Sequence, residues 1–500
     1  MALSLHINPE RVYGIRDEML YGHFIEHFHR QIYDGIYCPG HPLSDEDGFR
    51  TDVVEAMKKI KVPIMRWPGG CFVSSYHWKN AVGKDRVPMF DKAWRVEDPN
   101  TFGTDEYMKM CEKIGCAPYI CTNAGTGTAE EMSDWVEYCN LKTEGCYAKQ
   151  RIENGFEEPH NVKFWSIGNE NYGQWEIGAK SAEEWGRLVL ESAKMMRHVD
   201  PSLQLSAAAI SDINWNMNLL QNYGRFLDWI SLHQYWDFMA EEHNPATYEE
   251  CMAFTHEIDR QVQEVRGMLT ALKLEKKIRI AFDEWNLRSW HHPHVHLEPF
   301  GITPEDYVKP RDKNDDNSTY TMADAVFTAC FLNAMNRNCD IVGMANFAPI
   351  LNTRGCIYSH DGGIVLRSTY HVFDLFVNHM GDKVIDLWCT GDMPTLTVPV
   401  KNSTEKRTVD ALDVLATAFT DKAGLAVCAV NKDADAEHTV TLPMGEYKTA
   451  KLLLLNGPDK DSYNDVDREE CVITEHALEA KDGVLTVTLP AHSVSVIEIN

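Results

Sequence analysis

Two acidic residues at the ends of apolar runs offer the chemistry from which the sequence can be read. Val162-Lys-Phe-Trp-Ser-Ile-Gly-Asn-Glu170 is largely apolar until it reaches Gly168-Asn169-Glu170, and Ile278-Arg-Ile-Ala-Phe-Asp-Glu284-Trp-Asn286 repeats the form. Each reads as a short buried strand with a carboxylate at its C-terminal end. On parallel strands, two such carboxylates face one pocket. That arrangement suits cleavage of a glycosidic bond: one carboxyl protonates the leaving oxygen while the other attacks the anomeric carbon or activates water. A separation of about 5–5.5 Å gives a covalent intermediate and retention, whereas about 6.5–9.5 Å admits water and gives inversion. A lone Glu is ordinarily solvated or ion-paired, but an apolar run leading into each of these argues against solvation. Burial would raise one pKa, and a nearby cation, for which Arg66 is the candidate, would keep the other ionised.

The elements that must position them alternate. Strand-like runs fall at residues 20–26, 62–66, 118–123, 162–167, 203–208, 229–235, 278–282 and 341–347. Helical periodicity fills 51–60, 104–114, 129–138, 181–198, 247–272 and 320–336, and Ser181-Ala-Glu-Glu184 is a capping box. Eight alternating units predict an α/β chain built on a (β/α)8 TIM barrel over residues 17–375. The rival, an open doubly wound sheet, lacks a GxGxxG after its first strand. Glu26, Arg66, Asn123, Glu170, His233 with Tyr235, Glu284 and Asn346 all end strands, and in a barrel such ends share one rim. Residues 288–320 read as a loop over the pocket mouth. From 376 to 500 the pattern becomes alternating strands with Asn456-Gly457 and Asp482-Gly483 turns, a C-terminal all-β sandwich of jelly-roll type. Residues 1–16 read as one or two short strands, at 4–7 and 11–15, and are expected to join it.

Composition excludes some functions. Hydrophobic residues at 44% and charged ones at 25% fit a globular protein. A net charge of −27, from 75 acidic and 48 basic residues, repels phosphate backbones and anionic lipid, so neither nucleic acid nor membrane is an expected partner. A neutral carbohydrate is compatible with it. Neither a signal peptide nor an apolar run of spanning length is evident, which points to a cytoplasmic protein. The 14 cysteines show no CxxC pair and are expected to be free, mostly buried thiols.

Several segments together resemble glycoside hydrolase family 51, the α-L-arabinofuranosidases. Gly168-Asn169-Glu170 and Phe282-Asp-Glu284-Trp-Asn286 are similar to its acid/base and nucleophile motifs. Arg66-Trp-Pro-Gly-Gly70, Tyr21-Gly-His-Phe-Ile-Glu26, Ser231-Leu-His-Gln-Tyr235 and Gly343-Met-Ala-Asn346 also match it. The resemblance implies Glu170 as acid/base, Glu284 as nucleophile and Asn169 as partner of the sugar 2-hydroxyl. It implies Glu26 as an acceptor for sugar hydroxyls, with His233 and Tyr235 steadying the nucleophile. It further implies a retaining exo-hydrolase of arabinofuranosyl oligosaccharides that needs no cofactor or metal and forms a homohexamer. Two departures bear on the sugar. Cys71 stands where well-studied members have Asn, and a thiol is a weak donor and poor acceptor. Arg288-Ser-Trp290 replaces an aromatic pair, so Trp290 or Trp94 is the candidate stacking face.

Other readings stay in view. The same machinery could take another pentofuranoside or a β-1,4-glucan, or the chain could bind sugar without turnover. His291-His-Pro-His-Val-His296 invites a metal-hydrolase reading, but lacks acidic partners at ligand spacing; a loop lining the pocket is the simpler account. Trp175 and Trp185, near a helix start, read as core.

Overall fold

Eight short strands close on one another in chain order. The computed structural model describes residues 3–236, 246–287, 315–401, 403–445 and 447–500. Its barrel strands are Gly22–Phe24, Ile64–Trp67, Ala117–Thr122, Phe164–Ile167, Gln204–Ala209, Trp229–Tyr235, Arg279–Asn286 and Val342–Phe347. All neighbours pair in parallel, and Val342–Phe347 returns to Gly22–Phe24 to complete the (β/α)8 barrel. Helices pack outside. The helix Ala182–Val199 starts as expected: Ser181 Oγ accepts from the Glu184 amide while the Glu184 carboxylate accepts from the Ser181 amide. The expected helix at 247–272 is broken into Tyr248–Met252 and Glu257–Ala271.

Side chains alternate between the barrel interior and the helix layer, as the period of two requires. Ile64, Tyr119, Trp229, Ala281 and Met344 form an apolar plug inside the barrel. One step higher on the same strands come Arg66, Ser231 and Asp283, a polar floor on top of the plug. The strand Trp229–Tyr235 shows the stacking most directly: Trp229 sits in the plug, Ser231 on the floor, and His233 and Tyr235 in the pocket.

Apart from three two-stranded hairpins, the remaining described β structure is a nine-stranded sheet, in the order Val472–Leu478, Ala450–Asn456, Ser493–Ile499, Leu425–Asn431, Leu412–Ala418, Lys383–Thr390, Leu3–Ile15, His438–Pro443, Val484–Leu489. The N-terminal segment is one strand, Leu3–Ile15. It runs antiparallel to Lys383–Thr390 and parallel to His438–Pro443, and its register breaks between Asn8 and Val12. Leu425–Asn431 is buried throughout because both its faces are covered. Leu425, Val427 and Ala429 face one core, while Ala426, Cys428 and Val430 join the larger core that contains the barrel helices. The helix Met322–Arg337 fills that junction, which is why it is apolar around nearly its whole circumference. All fourteen cysteines are free and most are buried. Among the described residues, no helix is long and apolar enough to cross a membrane.

Candidate active site

Asp283 and Glu284 are adjacent, yet both point into the barrel. A β-bulge makes this possible. Ala281 lies opposite Ser231 and Glu284 opposite His233, so three steps on one strand match two on its neighbour. The extra residue turns both carboxylates inward, while Phe282 and Trp285 pack outward on Phe331. The expected strand end at Phe282 is therefore too early; the strand runs on to Asn286.

Arg66, fully buried, is the cation of the floor. Its Nη1 donates to Glu284 Oε2 at 2.8 Å, its Nη2 donates to Asn169 Oδ1 at 2.9 Å, and its Nε lies 3.7 Å from Asp283 Oδ2. Asp283 accepts from the hydroxyls of Tyr119 and Ser231, each at 2.6 Å. Burial opposes its charge, but Arg66, His233 and Ser231 outweigh it and hold the carboxyl down at about 2.

Glu284 is held from a second direction by the Tyr235 hydroxyl, 2.6 Å from Oε1. Glu170 sits across from it, at the end of Phe164–Ile167. Its φ of 45° is a left-handed conformation that a residue with a Cβ adopts only at a cost of about 1–2 kcal/mol. Its Oε1 is 3.1 Å from His233 Nδ1, and the Trp175 indole N–H donates to its Oε2 at 2.8 Å. Burial pushes the Glu170 carboxyl up, but the His233 and Trp175 hydrogen bonds and the Arg66 charge pull it below the usual carboxylate range. A carboxylate oxygen of Glu170, one of Glu284 and a His233 ring nitrogen all lie within 4.8 Å of one another.

His233 lies among three carboxylates, with Nδ1 also 3.5 Å from Glu284 and Nε2 3.3 Å from Asp283. Burial disfavours its charge, but Glu284, Asp283 and Glu170 push it up to about 10. A protonated imidazole has no lone pair for a metal, so the Glu170–His233–Glu284 group suits proton chemistry better than ligation.

Glu26 closes the pocket wall. Its Oε1 accepts from the amides of Gly70 and Phe72 and from the Trp94 indole N–H at 2.9–3.1 Å. Burial first, then the charge of Glu284, push it up to about 8. Gly69 has to be glycine: its φ is 147°, and a Cβ there would stand 2.2 Å from Glu26 Cγ. Trp94 is half-buried against Phe28 and reaches the site through its N–H. Cys71 is partly exposed, its Sγ within 4.8 Å of oxygens of Glu170 and Glu176.

The structure thus brings together Glu26, Arg66, Cys71, Trp94, Asn169, Glu170, His233, Tyr235 and Glu284. Asn123, also on the rim, spends its amide on backbone groups and the Thr126 hydroxyl, and Asn346 donates its amide N–H to the His23 carbonyl. Trp290 and the histidines at 291–296 lie outside the described residues. Trp185 is core, its N–H bonded to the Ala208 carbonyl. Trp175 corrects the reading as core: it is 67% exposed and bonds Glu170. Its neighbours in sequence explain the outcome, since a turn around Gly173 carries it clear of the helix that begins at Ala182. Asp283, Glu176 and Tyr119 were not singled out from sequence. For Asp283 the signal was present in its place beside Glu284, but alternation assigns adjacent strand residues to opposite faces.

Residues 56–253 match the sequence family described as "Alpha-L-arabinofuranosidase 1 domain", and residues 283–493 match the one described as "Alpha-L-arabinofuranosidase C-terminal domain". The chain is 31% identical over 510 residues to an intracellular exo-α-(1→5)-L-arabinofuranosidase of Acetivibrio thermocellus, covering 97% of this chain and 96% of that one. Its fold superimposes on the crystal structure of an α-L-arabinofuranosidase from Thermotoga maritima in complex with arabinose, with a TM-score of 0.88, 34% identity and 99% of each chain covered. The thermostable GH51 α-L-arabinofuranosidase of Thermotoga petrophila matches with the same TM-score and identity, over 100% of each chain.

Proposed function

The chain belongs to glycoside hydrolase family 51, the α-L-arabinofuranosidases, and on that footing we propose that it releases terminal α-L-arabinofuranosyl units by double displacement, with Glu284 as nucleophile and Glu170 as acid/base. The observation that carries the reading is the approach of Glu170 and Glu284 oxygens to within 4.8 Å. So close an approach favours the about 5–5.5 Å separation of retaining glycosidases over the about 6.5–9.5 Å of inverting ones.

In the first step Glu284 attacks the anomeric carbon, while Glu170 gives its proton to the departing oxygen. Arg66 and Tyr235 fix both oxygens of the nucleophile, so attack needs no reorganisation. In the second step Glu170, now ionised, takes a proton from water, and that water breaks the ester at Glu284. Asn169, fixed by Arg66, meets the 2-hydroxyl, and Glu26 and Cys71 line the sugar's other side. No cofactor enters either step.

The Acetivibrio relative's name supports exo action on α-(1→5)-linked fragments and an intracellular setting. A homohexamer follows from the family resemblance; a monomer in sedimentation would overturn it. The test of the chemistry is mass spectrometry of the enzyme quenched during turnover of a nitrophenyl α-L-arabinofuranoside. An arabinosyl adduct on Glu284, and an α-configured methyl arabinofuranoside formed in methanol, are expected. A β-configured product would mean inversion, and no release of nitrophenol would remove the substrate assignment.

A further inference from the structure

Glu176 is a third carboxyl behind Glu170, with no part in the steps above. It is 4% exposed, in the loop between the strand Phe164–Ile167 and the helix Ala182–Val199. Its Oε2 accepts from Asn169 Nδ2 at 3.2 Å, while Arg66 donates to the other end of the same amide. Asn169 is therefore held by a cation at its oxygen and an anion at its nitrogen, which fixes which way round it faces. An oxygen of Glu176 also lies within 4.8 Å of an oxygen of Glu170 and of Cys71 Sγ.

Buried carboxyls this close resist ionising together, so the pair holds its last proton more firmly than either residue alone. Burial, then the Glu170 charge, push Glu176 up to about 7. The groups facing the pair are unequal in sign. His233, Arg66 and the Trp175 N–H draw Glu170 towards its anion. Glu284 and Asp283 are anions on the surrounding strands, Glu26 holds its proton up to about 8, and Tyr172, Tyr235 and Cys71 stay neutral, their own ionisation pushed up by burial and by the neighbouring carboxylates. Of the two carboxylates within 4.8 Å of Glu170, Glu284 loses its charge on forming the glycosyl ester. Glu176 forms no bond to the sugar, so the pair it makes with Glu170 survives the transfer.

We propose that Glu176 is a positioning residue of the hydrolytic site: it holds the Asn169 amide in orientation, and as the second buried carboxyl beside Glu170 it makes the pair keep one proton on which Glu170 draws. In the first step the proton held by the pair supplies the acid against the pull of His233 and Arg66. In the second the pair keeps Glu170 basic enough to take a proton from water after the charge on Glu284 has gone. The inference rests on the reading of Glu170 as acid/base.

The test is kcat/KM against pH on α-(1→5)-arabinobiose, whose leaving group needs the proton. Glu176→Gln still offers Asn169 a carbonyl oxygen but carries no charge. Its basic limb is expected to move down by about one pH unit, and Glu176→Asp is expected to bring the limb back towards wild type. A Glu176→Gln limb at the wild-type pH would overturn the proposal. Glu170→Gln separates the two readings. If it keeps the wild-type limb, the acid/base assignment fails; if it abolishes the limb while Glu176→Gln leaves it in place, only the role of Glu176 fails.

Discussion

Arg66 and Glu284 stand 218 residues apart in sequence and 2.8 Å apart in the barrel, both shielded from water. Neither charge is tolerable there without the other. Arg66→Met keeps the volume and leaves Glu284 and Asp283 as unbalanced anions, so unfolding in urea at neutral pH should show a loss of about 3–5 kcal/mol. Arg66→Lys restores the charge, but a single ammonium cannot serve Glu284 and Asn169 as the planar fork does. Much of the stability should return while kcat/KM stays at least about tenfold down, the loss of one charge-assisted hydrogen bond. A Lys variant with wild-type kcat/KM would show that the fork is dispensable.

Stability should respond to pH through the same cluster, with opposite signs at its two ends. His233 is pushed up to about 10, so its contribution is whole below its unfolded value of about 6.5 and is lost as pH rises towards 10. Asp283 is held at about 2, so its contribution is whole above about 3.9 and is lost as pH falls towards 2. His233→Gln should flatten the alkaline side of the stability curve and Asp283→Asn the acid side. Denaturant unfolding between pH 2 and 10 measures both; parallel curves for wild type and variants would contradict this account.

Much of this arrangement was legible in the residues. A barrel strand buried on both faces is an apolar run, and the first polar residue after it marks the rim, which is how Glu170 and Glu284 stand out. What alternation misses is the irregular step. The bulge at Asp283 breaks the period of two at the position where two acids must share a face. Ile213–Tyr223 forms a helix although its asparagines favour caps and turns; it depends on the Asp212 cap and on burying Trp215, Leu219 and Leu220. The strands Lys383–Thr390 and Lys406–Asp410 were not expected either, since charge interrupts their alternation; the first holds through pairing with the distant Leu3–Ile15 and the second through a local hairpin with Thr395–Pro399. Glu176 was invisible for a related reason: nothing local distinguishes a buried Glu in a loop from a solvated one.

The Tyr235 hydroxyl reaches Glu284 Oε1 at 2.6 Å, while the Arg354 guanidinium lies 4.2 Å above its ring. Tyr235→Phe separates these two roles. The ring and its cation contact survive, so thermal unfolding should shift little. The nucleophile loses one of its two fixed donors, and a hydrogen bond to a charged group is worth about 1.5–3 kcal/mol, so kcat/KM should fall by about 10- to 100-fold. A large drop in Tm with kcat/KM intact would reverse the assignment.

Trp175 bonds Glu170 from the solvent side, and its consequence runs opposite to that of Glu176. The indole N–H, 2.8 Å from Oε2, stabilises the ionised form of Glu170. Trp175→Phe removes the donor and leaves an aromatic face, so Glu170 should keep its proton to higher pH. The basic limb of kcat/KM on arabinobiose is expected to move up, where loss of the Glu176 carboxyl moves it down. Because Trp175 is largely exposed, the substitution should not weaken the fold, and unfolding curves should superimpose. A downward shift in Trp175→Phe would mean that the indole acts on the leaving group, through contact with the second sugar, more than on the proton.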